Sequence, residues 1–176
     1  MKDDIEMDLK QYIRDIPDFP EPGILFRDIT PLLRDTKAFK IVIDMMIDHY
    51  SNVAFDTIVA VESRGFLFGA PMAYQMRKSF VPVRKKGKLP AATHTAEYSL
   101  EYGSSIIEIH AGDVAKGDRV LILDDLLATG GTLDATARLV EVSGGTVAGI
   151  GLVIELMDLG GRERLSDFDV FSLIQY

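Results

Sequence analysis

The chain has 176 residues, of which 47% are apolar, with a net charge of −8 and no cysteine. This is long enough to bury the core of one α/β domain and too apolar for wholesale disorder, and the missing cysteines exclude disulfides and thiolate chemistry. The acidic balance argues against general nucleic-acid binding, no apolar run reaches the roughly 18–20 residues that span a bilayer, and the acidic start is unsuited to export, so a cytoplasmic protein is expected.

In chain order, Ile5, Leu9, Tyr12 and Ile13 have the spacing of one helix face and predict a helix from Asp4 to Arg14. The run Pro17-Asp-Phe-Pro-Glu-Pro-Gly23 forbids regular structure, because each proline pushes its predecessor out of the helical region. A second helix follows the cap candidates Asp35 and Thr36, with Phe39, Val42, Ile43, Met46, Ile47 and Tyr50 along its apolar face. Thr57 to Val61 reads as the first buried strand. Glu62-Ser-Arg-Gly65 turns it into a helix from Phe66 to about Met76, with a kink or local adjustment expected at Pro71.

Ser79 to Val83 is the next strand, with Arg84 to Lys88 as a basic turn after it. Ala91 to Thr95 has little pattern. Glu97 to Gly103 and Ser104 to His110 pair as a hairpin. Arg119 to Leu123 is the central strand, followed by a helix from Thr132 to Val142 that Gly144-Gly145 stops. Thr146 to Glu155 and Val170 to Leu173 supply further strands. No repeat or linker interrupts the chain, so one domain is expected over residues 1–176. Strands alternating with helices imply a mostly parallel sheet flanked by helices, with ligands bound beyond the carboxyl ends of the strands.

The most informative segment is Val120-Leu-Ile-Leu-Asp-Asp-Leu-Leu-Ala-Thr-Gly-Gly-Thr-Leu133. A buried strand delivers two acids and then a loop of small residues at a helix start. Ala128-Thr-Gly-Gly-Thr132 suits a phosphate monoester: Gly130 and Gly131 let the backbone approach, Thr129 and Thr132 add hydroxyls, and the helix start adds unpaired N–H groups. A plain strand-to-helix turn with a threonine cap would share those residues, but it leaves the two acids before them unexplained. The Gly-Lys-Ser/Thr that closes a nucleotide P-loop is missing. Asp124 and Asp125 repel one another and need compensation, which ribose hydroxyls or water-bridged Mg²⁺ would provide.

Arg64 suits a pyrophosphate through its planar fork, assisted by backbone near Gly65; a surface salt bridge is the alternative. Arg84, Lys85 and Lys88 form a basic cluster at the same edge, read either as a solvated charge run or as part of a polyanion site. Glu101 and Tyr102 stand on a protruding hairpin with the character of a lid, although an ordinary half-exposed hairpin would look alike. His94 and His110 match no metal-ligand spacing.

Val120 to Leu133 resembles the phosphoribosyl pyrophosphate signature of type I phosphoribosyltransferases. Four further segments, in the family's order, place the resemblance in its adenine-using branch. They are Phe19-Pro-Glu-Pro-Gly-Ile-Leu-Phe-Arg-Asp-Ile-Thr-Pro31, Glu62-Ser-Arg-Gly-Phe66, Val83-Arg-Lys-Lys-Gly-Lys-Leu-Pro90 and Tyr98-Ser-Leu-Glu-Tyr-Gly103. The resemblance implies a type I phosphoribosyltransferase-like α/β fold with an N-terminal base-binding hood over residues 1–34 and a flexible lid hairpin over 90–110.

It also implies transfer of ribose 5-phosphate from phosphoribosyl pyrophosphate to N9 of adenine, giving AMP and pyrophosphate, with Mg²⁺ held through substrate and water. By the same resemblance, Ala128 to Thr132 hold the 5′-phosphate and Asp124 and Asp125 the ribose hydroxyls. Ser63, Arg64, Gly65, Lys85 and Lys88 hold the pyrophosphate, with Arg84 reaching across a homodimer interface. Leu25, Phe26, Arg27 and Leu126 form the adenine pocket, and the Glu62–Ser63 peptide is cis. Glu101 is the candidate to take the proton from the base, with Tyr102 beside it.

The segment Ala91-Ala-Thr-His-Thr-Ala-Glu97 departs from the family pattern, which has a glycine and proline near its start and a small residue where Glu97 stands. Other readings are an enzyme for a 6-oxo purine or orotate, and a non-catalytic sensor of phosphoribosyl pyrophosphate. A 6-oxo base asks for a differently polarised pocket than Phe26-Arg27-Asp28, orotate for a charge that the pocket lacks, and a sensor for a DNA-binding part.

Overall fold

The computed structural model describes residues 8–99 and 104–176. The chain divides into two compact units, Met1–Met45 and Met46–Tyr176.

In the first unit, the helix expected from Asp4 to Arg14 is not formed over its described part. A short 3-10 helix spans Leu9–Tyr12, with Asp8 Oδ1 accepting the Lys10 N–H at 3.0 Å, and Ile13 is already extended. Arg14 opens strand β1, Arg14–Pro17, which pairs antiparallel with β2, Leu25–Asp28. The reason is tertiary: Arg14 sits opposite Asp28 in the ladder and its Nη2 reaches Asp28 Oδ2 at 2.6 Å, while Leu9 and Ile13 still bury their side chains. The intervening turn holds a cis Phe19–Pro20 peptide, and the Gly23 N–H donates to Asp18 Oδ1 at 2.7 Å. After the short helix α1, Thr30–Arg34, Asp35 Oδ1 caps α2, Thr36–Tyr50, by accepting the N–H groups of Lys37 and Ala38 at 3.0 and 2.9 Å. Val42, Ile43, Met46 and Tyr50 of the expected face are buried.

The second unit is built on a seven-stranded sheet. Its strands are β3 (Thr57–Val61), β4 (Ser79–Lys85), β5 (Thr93–Ser99), β6 (Ser104–His110), β7 (Arg119–Leu127), β8 (Thr146–Glu155) and β9 (Val170–Gln175), in the spatial order β5-β6-β4-β3-β7-β8-β9. β4, β3, β7, β8 and β9 run parallel, and β6 and β5 add an antiparallel edge. β3 is buried along its whole length, as an interior parallel strand requires. Helix α3, Gly65–Met76, runs through Pro71 and packs on β3 and β7; α4, Gly131–Val142, packs on β5 to β8. Gly144, at φ +93°, ends α4, with its N–H on Glu141 and that of Gly145 on Val140.

Parts of this unit differ from the sequence reading. Thr93 to Thr95, expected to lack pattern, belong to β5 because they pair with β6 from His110 to Glu108. The central strand continues past Leu123 to Leu127. Among the described residues no helix is long and apolar enough to cross a membrane.

Candidate active site

The chemical groups of the second unit gather where β3, β4 and β7 end. β7 pairs with β3 only as far as Leu123, opposite Ala60, and from Asp124 onward it keeps β8 alone as its partner. The two acids therefore stand where the strand emerges beyond its neighbour, Asp124 partly open and Asp125 buried. β3 leads through the cis Glu62–Ser63 peptide into α3, as the family resemblance implied. Gly65, the first residue of α3, lies against the β7 backbone, and a Cβ there would fall 2.9 Å from the Leu123 carbonyl oxygen.

The loop after β7 turns at Gly130, whose φ of +80° places it in the left-handed region that glycine enters at no steric cost. Gly130 is also the N-cap of α4, and no side chain caps that helix. The first N–H groups of a helix have no intrahelical acceptors, so the loop presents donors and the positive end of a helix dipole to an anion.

Between the loop and the acids lies a cavity of about 400 Å³. Ser63, Arg64, Lys85, Asp124, Asp125, Leu126 and the whole Ala128–Thr132 loop line it. Arg64 Nε is 2.8 Å from Asp125 Oδ2, and the Asp125 N–H donates to Asp124 Oδ1 at 2.8 Å. The guanidinium offsets part of the Asp125 charge at this distance. Burial, and then the charge of Asp125, push the Asp124 carboxyl well above the usual carboxylate range. Burial raises Asp125 as well, with the Arg64 guanidinium pulling the other way. A buried acid pair facing one guanidinium calls for further compensation, which hydroxyl donors or hydrated metal can supply.

The other predicted residues are placed differently. Arg84 does not line the cavity: its Nε donates to Glu62 Oε2 at 2.9 Å, and its guanidinium lies 5.9 Å from the Phe66 ring centroid. Burial works to raise the Glu62 carboxyl, but the Lys85 N–H and the Arg84 guanidinium outweigh it and hold it below its usual range. Lys88 lies in the turn after β4, which is folded down by its own N–H and that of Leu89, both donating to the buried Glu108 Oε1 at 2.9 Å. Glu101 and Tyr102 lie outside the described residues.

In the first unit, Leu25, Phe26 and Arg27 follow one another on β2. Leu25 is exposed, Phe26 meets Phe19 edge-to-face at 5.2 Å, and Arg27 pairs with Asp15 across the ladder. Tyr98 also lines the cavity and was not singled out from the sequence, although alternation along β5 would have put it opposite Glu97 in facing. Among the described residues no cluster of three or more His, Asp or Glu side chains could hold a metal by itself.

A strand-end acid pair, an uncapped glycine loop and flanking cations thus share one cavity, and residues 29–176 match the family described as the phosphoribosyl transferase domain. An adenine phosphoribosyltransferase of Trichormus variabilis is 54% identical over 172 residues, covering 97% of this chain and 100% of that protein. The crystal structure of an adenine phosphoribosyltransferase from Thermoanaerobacter pseudethanolicus superimposes with a TM-score of 0.93 at 54% identity, covering 96% of this chain and 98% of that one. That of the Saccharomyces cerevisiae adenine phosphoribosyltransferase, complexed with an imino-altritol bisphosphate and adenine, gives 0.88 at 41% identity, covering 94% and 96%. The chain belongs to the phosphoribosyltransferase family, in its adenine phosphoribosyltransferase branch.

Proposed function

We propose that this chain transfers ribose 5-phosphate from phosphoribosyl pyrophosphate to N9 of adenine, releasing AMP and pyrophosphate in purine salvage. The observation that carries the reading is the cavity itself, in which the Asp124–Asp125 pair faces the uncapped start of α4 with Arg64 and Lys85 beside it. The names of the full-length relatives supply the base.

The loop N–H groups and the hydroxyls of Thr129 and Thr132 anchor the 5′-phosphate, which does not react. The ribose hydroxyls donate to the carboxylates of Asp124 and Asp125. Arg64 and Lys85, with Ser63, Gly65 and Lys88, bring donors and positive charge to the pyrophosphate as its bond to C1 breaks and the N9–C1 bond forms. Mg²⁺ fits this acid pair through water and substrate oxygens, and when bound it supplies further charge to the leaving pyrophosphate. Leu25, Phe26 and Arg27 hold adenine, with Phe26 stacking on the base.

Glu101 accepts the proton that adenine loses, and Tyr102 helps the lid over residues 90–110 exclude water from the activated sugar. The chain works as a single domain with residues 1–34 as its base-binding hood, in a cytoplasmic homodimer in which Arg84 serves the partner's site. Release of pyrophosphate only when adenine accompanies phosphoribosyl pyrophosphate tests the reading; release without adenine, or none with it, would refute it. In that assay Glu101→Gln lowers kcat by about 10²–10⁴ while calorimetry finds the affinity for phosphoribosyl pyrophosphate little changed. Unaltered turnover would remove Glu101 from the mechanism.

A further inference from the structure

The phosphate loop is backed by a segment that belongs to no recognised motif. After β8 the chain passes through α5, Gly161–Arg164, and returns toward the loop. The Leu156 N–H donates to the Leu127 carbonyl at 2.9 Å, where β7 gives way to the loop. Gly161 is buried there with no room for a side chain: a Cβ would lie 2.2 Å from the Ala128 carbonyl oxygen and 2.6 Å from Leu127 Cδ1. From the other side, a Cβ on Gly130 would lie 2.9 Å from the Gly161 carbonyl oxygen. Two glycine backbones thus meet directly beneath the loop that presents its N–H groups to the cavity.

The next residue fixes this contact. Arg162 donates from Nε to Glu155 Oε1 at 2.8 Å, from Nη2 to Glu155 Oε2 at 2.5 Å, and from Nη1 to the Val170 carbonyl at 2.7 Å. Ser172 Oγ adds a hydrogen bond to Glu155 Oε2 at 2.6 Å. Glu155 ends β8 with its side chain only 2% exposed, so the fork ties α5 to the end of β8 and the start of β9. A bidentate arginine–carboxylate pair fixes direction as well as distance, which a lysine cannot do.

We propose that Gly161 is a positioning residue for the 5′-phosphate: held by the Arg162–Glu155–Ser172 clamp, its backbone sets where residues 128–132 stand and so how their N–H groups meet the phosphate. The inference rests on the phosphoribosyltransferase reading and adds to it a part that touches no substrate. A displacement of the order of 1 Å in a binding group can cost about a hundredfold in efficiency, and the Ala128 carbonyl would have to move on that scale to admit a methyl group.

The test compares Gly161→Ala and Arg162→Lys with the parent enzyme, with KM for phosphoribosyl pyrophosphate, KM for adenine and kcat each measured. Gly161→Ala is expected to raise KM for phosphoribosyl pyrophosphate roughly ten- to a hundredfold, leaving KM for adenine and kcat at saturation within about threefold. Arg162→Lys gives a smaller shift of the same kind, and carries the test if Gly161→Ala does not fold. A merely structural role would lower the melting temperature and the yield of active enzyme with both KM values unchanged. That outcome, or an equal rise in both KM values, overturns the proposal. If the parent chain makes no nucleotide, the functional reading has failed; weaker calorimetric binding of ribose 5-phosphate by Gly161→Ala than by the parent would then still uphold the positioning role, and equal binding would end it.

Discussion

Asp125→Asn is expected to lower kcat/KM for phosphoribosyl pyrophosphate by roughly 10²–10³. Hydrogen bonds to a charged acceptor contribute about 1.5–3 kcal/mol each, and about 1.4 kcal/mol corresponds to tenfold in rate. Two such bonds lost in full would give roughly 3–6 kcal/mol, or about 10²–10⁴, and because the amide oxygen still accepts, the loss falls in the lower half of that range. The same change strips Arg64 of its buried partner, Asp125 being only 5% exposed. Arg64 keeps 35% of its side chain open to water and burial already disfavours the ionised Asp125, so the loss of stability falls below the roughly 3–5 kcal/mol seen for breaking buried pairs.

Asp124→Asn should behave differently. Burial and the neighbouring Asp125 already raise the Asp124 carboxyl far above its usual range, so a neutral amide relieves repulsion: activity falls while the melting temperature holds or rises. The pair also fixes the direction of the pH dependence. A raised folded-state pKa means the pair takes up protons at a pH where an isolated aspartate is still ionised. The acid limb of kcat/KM therefore lies above the ordinary carboxylate range. For stability, the pair favours the fold at acid pH and gives up that advantage as pH rises through the raised values. Steady-state kinetics and thermal melts of the two variants check all three points; a loss below tenfold for Asp125→Asn would show that the ribose does not depend on it.

Gly130→Ala is the second large effect, and it acts through the backbone. The left-handed conformation at φ +80° costs a residue with a Cβ about 1–2 kcal/mol, and the new methyl would also meet the Gly161 carbonyl oxygen at 2.9 Å. Together these predict a fall in melting temperature of roughly 4–8 °C, using about 2–4 °C per kcal/mol for a chain of this length. Because the loop has to move to relieve the contact, KM for phosphoribosyl pyrophosphate should rise at least about tenfold, with misplaced donors as the cause. Calorimetry and kinetics read the two effects separately. A stable variant with an unchanged KM would mean that the loop does not depend on this conformation.

The parts of the fold that the sequence makes legible are those where local pattern and tertiary role agree. β3 and β8 have the bounds read from their apolar runs, and α2 starts at the Asp35 cap. Over residues 8–14 the expected helix gives way to a short 3-10 turn and a strand pairing that puts Arg14 opposite Asp28. β7 is longer than its apolar run because β8 continues beside it after β3 has stopped, so two carboxylates belong to the strand itself.

At Arg84 the sequence leaves open which residue of the basic cluster faces the cavity of its own chain. β4 continues through Lys85, and alternation gives Lys85 to the cavity and Arg84 to Glu62. Treating the cluster as a turn hides that alternation. Gly161 and Arg162 carry no local signal, since their role is a contact with a loop some thirty positions earlier that only the folded chain brings within reach.

The central claim is that this cavity delivers its ribose phosphate to adenine. The most direct measurement incubates the purified chain with Mg²⁺, phosphoribosyl pyrophosphate and an equimolar mixture of adenine, hypoxanthine, guanine and xanthine, and identifies the nucleotides by mass spectrometry. AMP as the sole nucleotide is the predicted result; IMP, GMP or XMP in comparable amount, or no nucleotide at all, would contradict it.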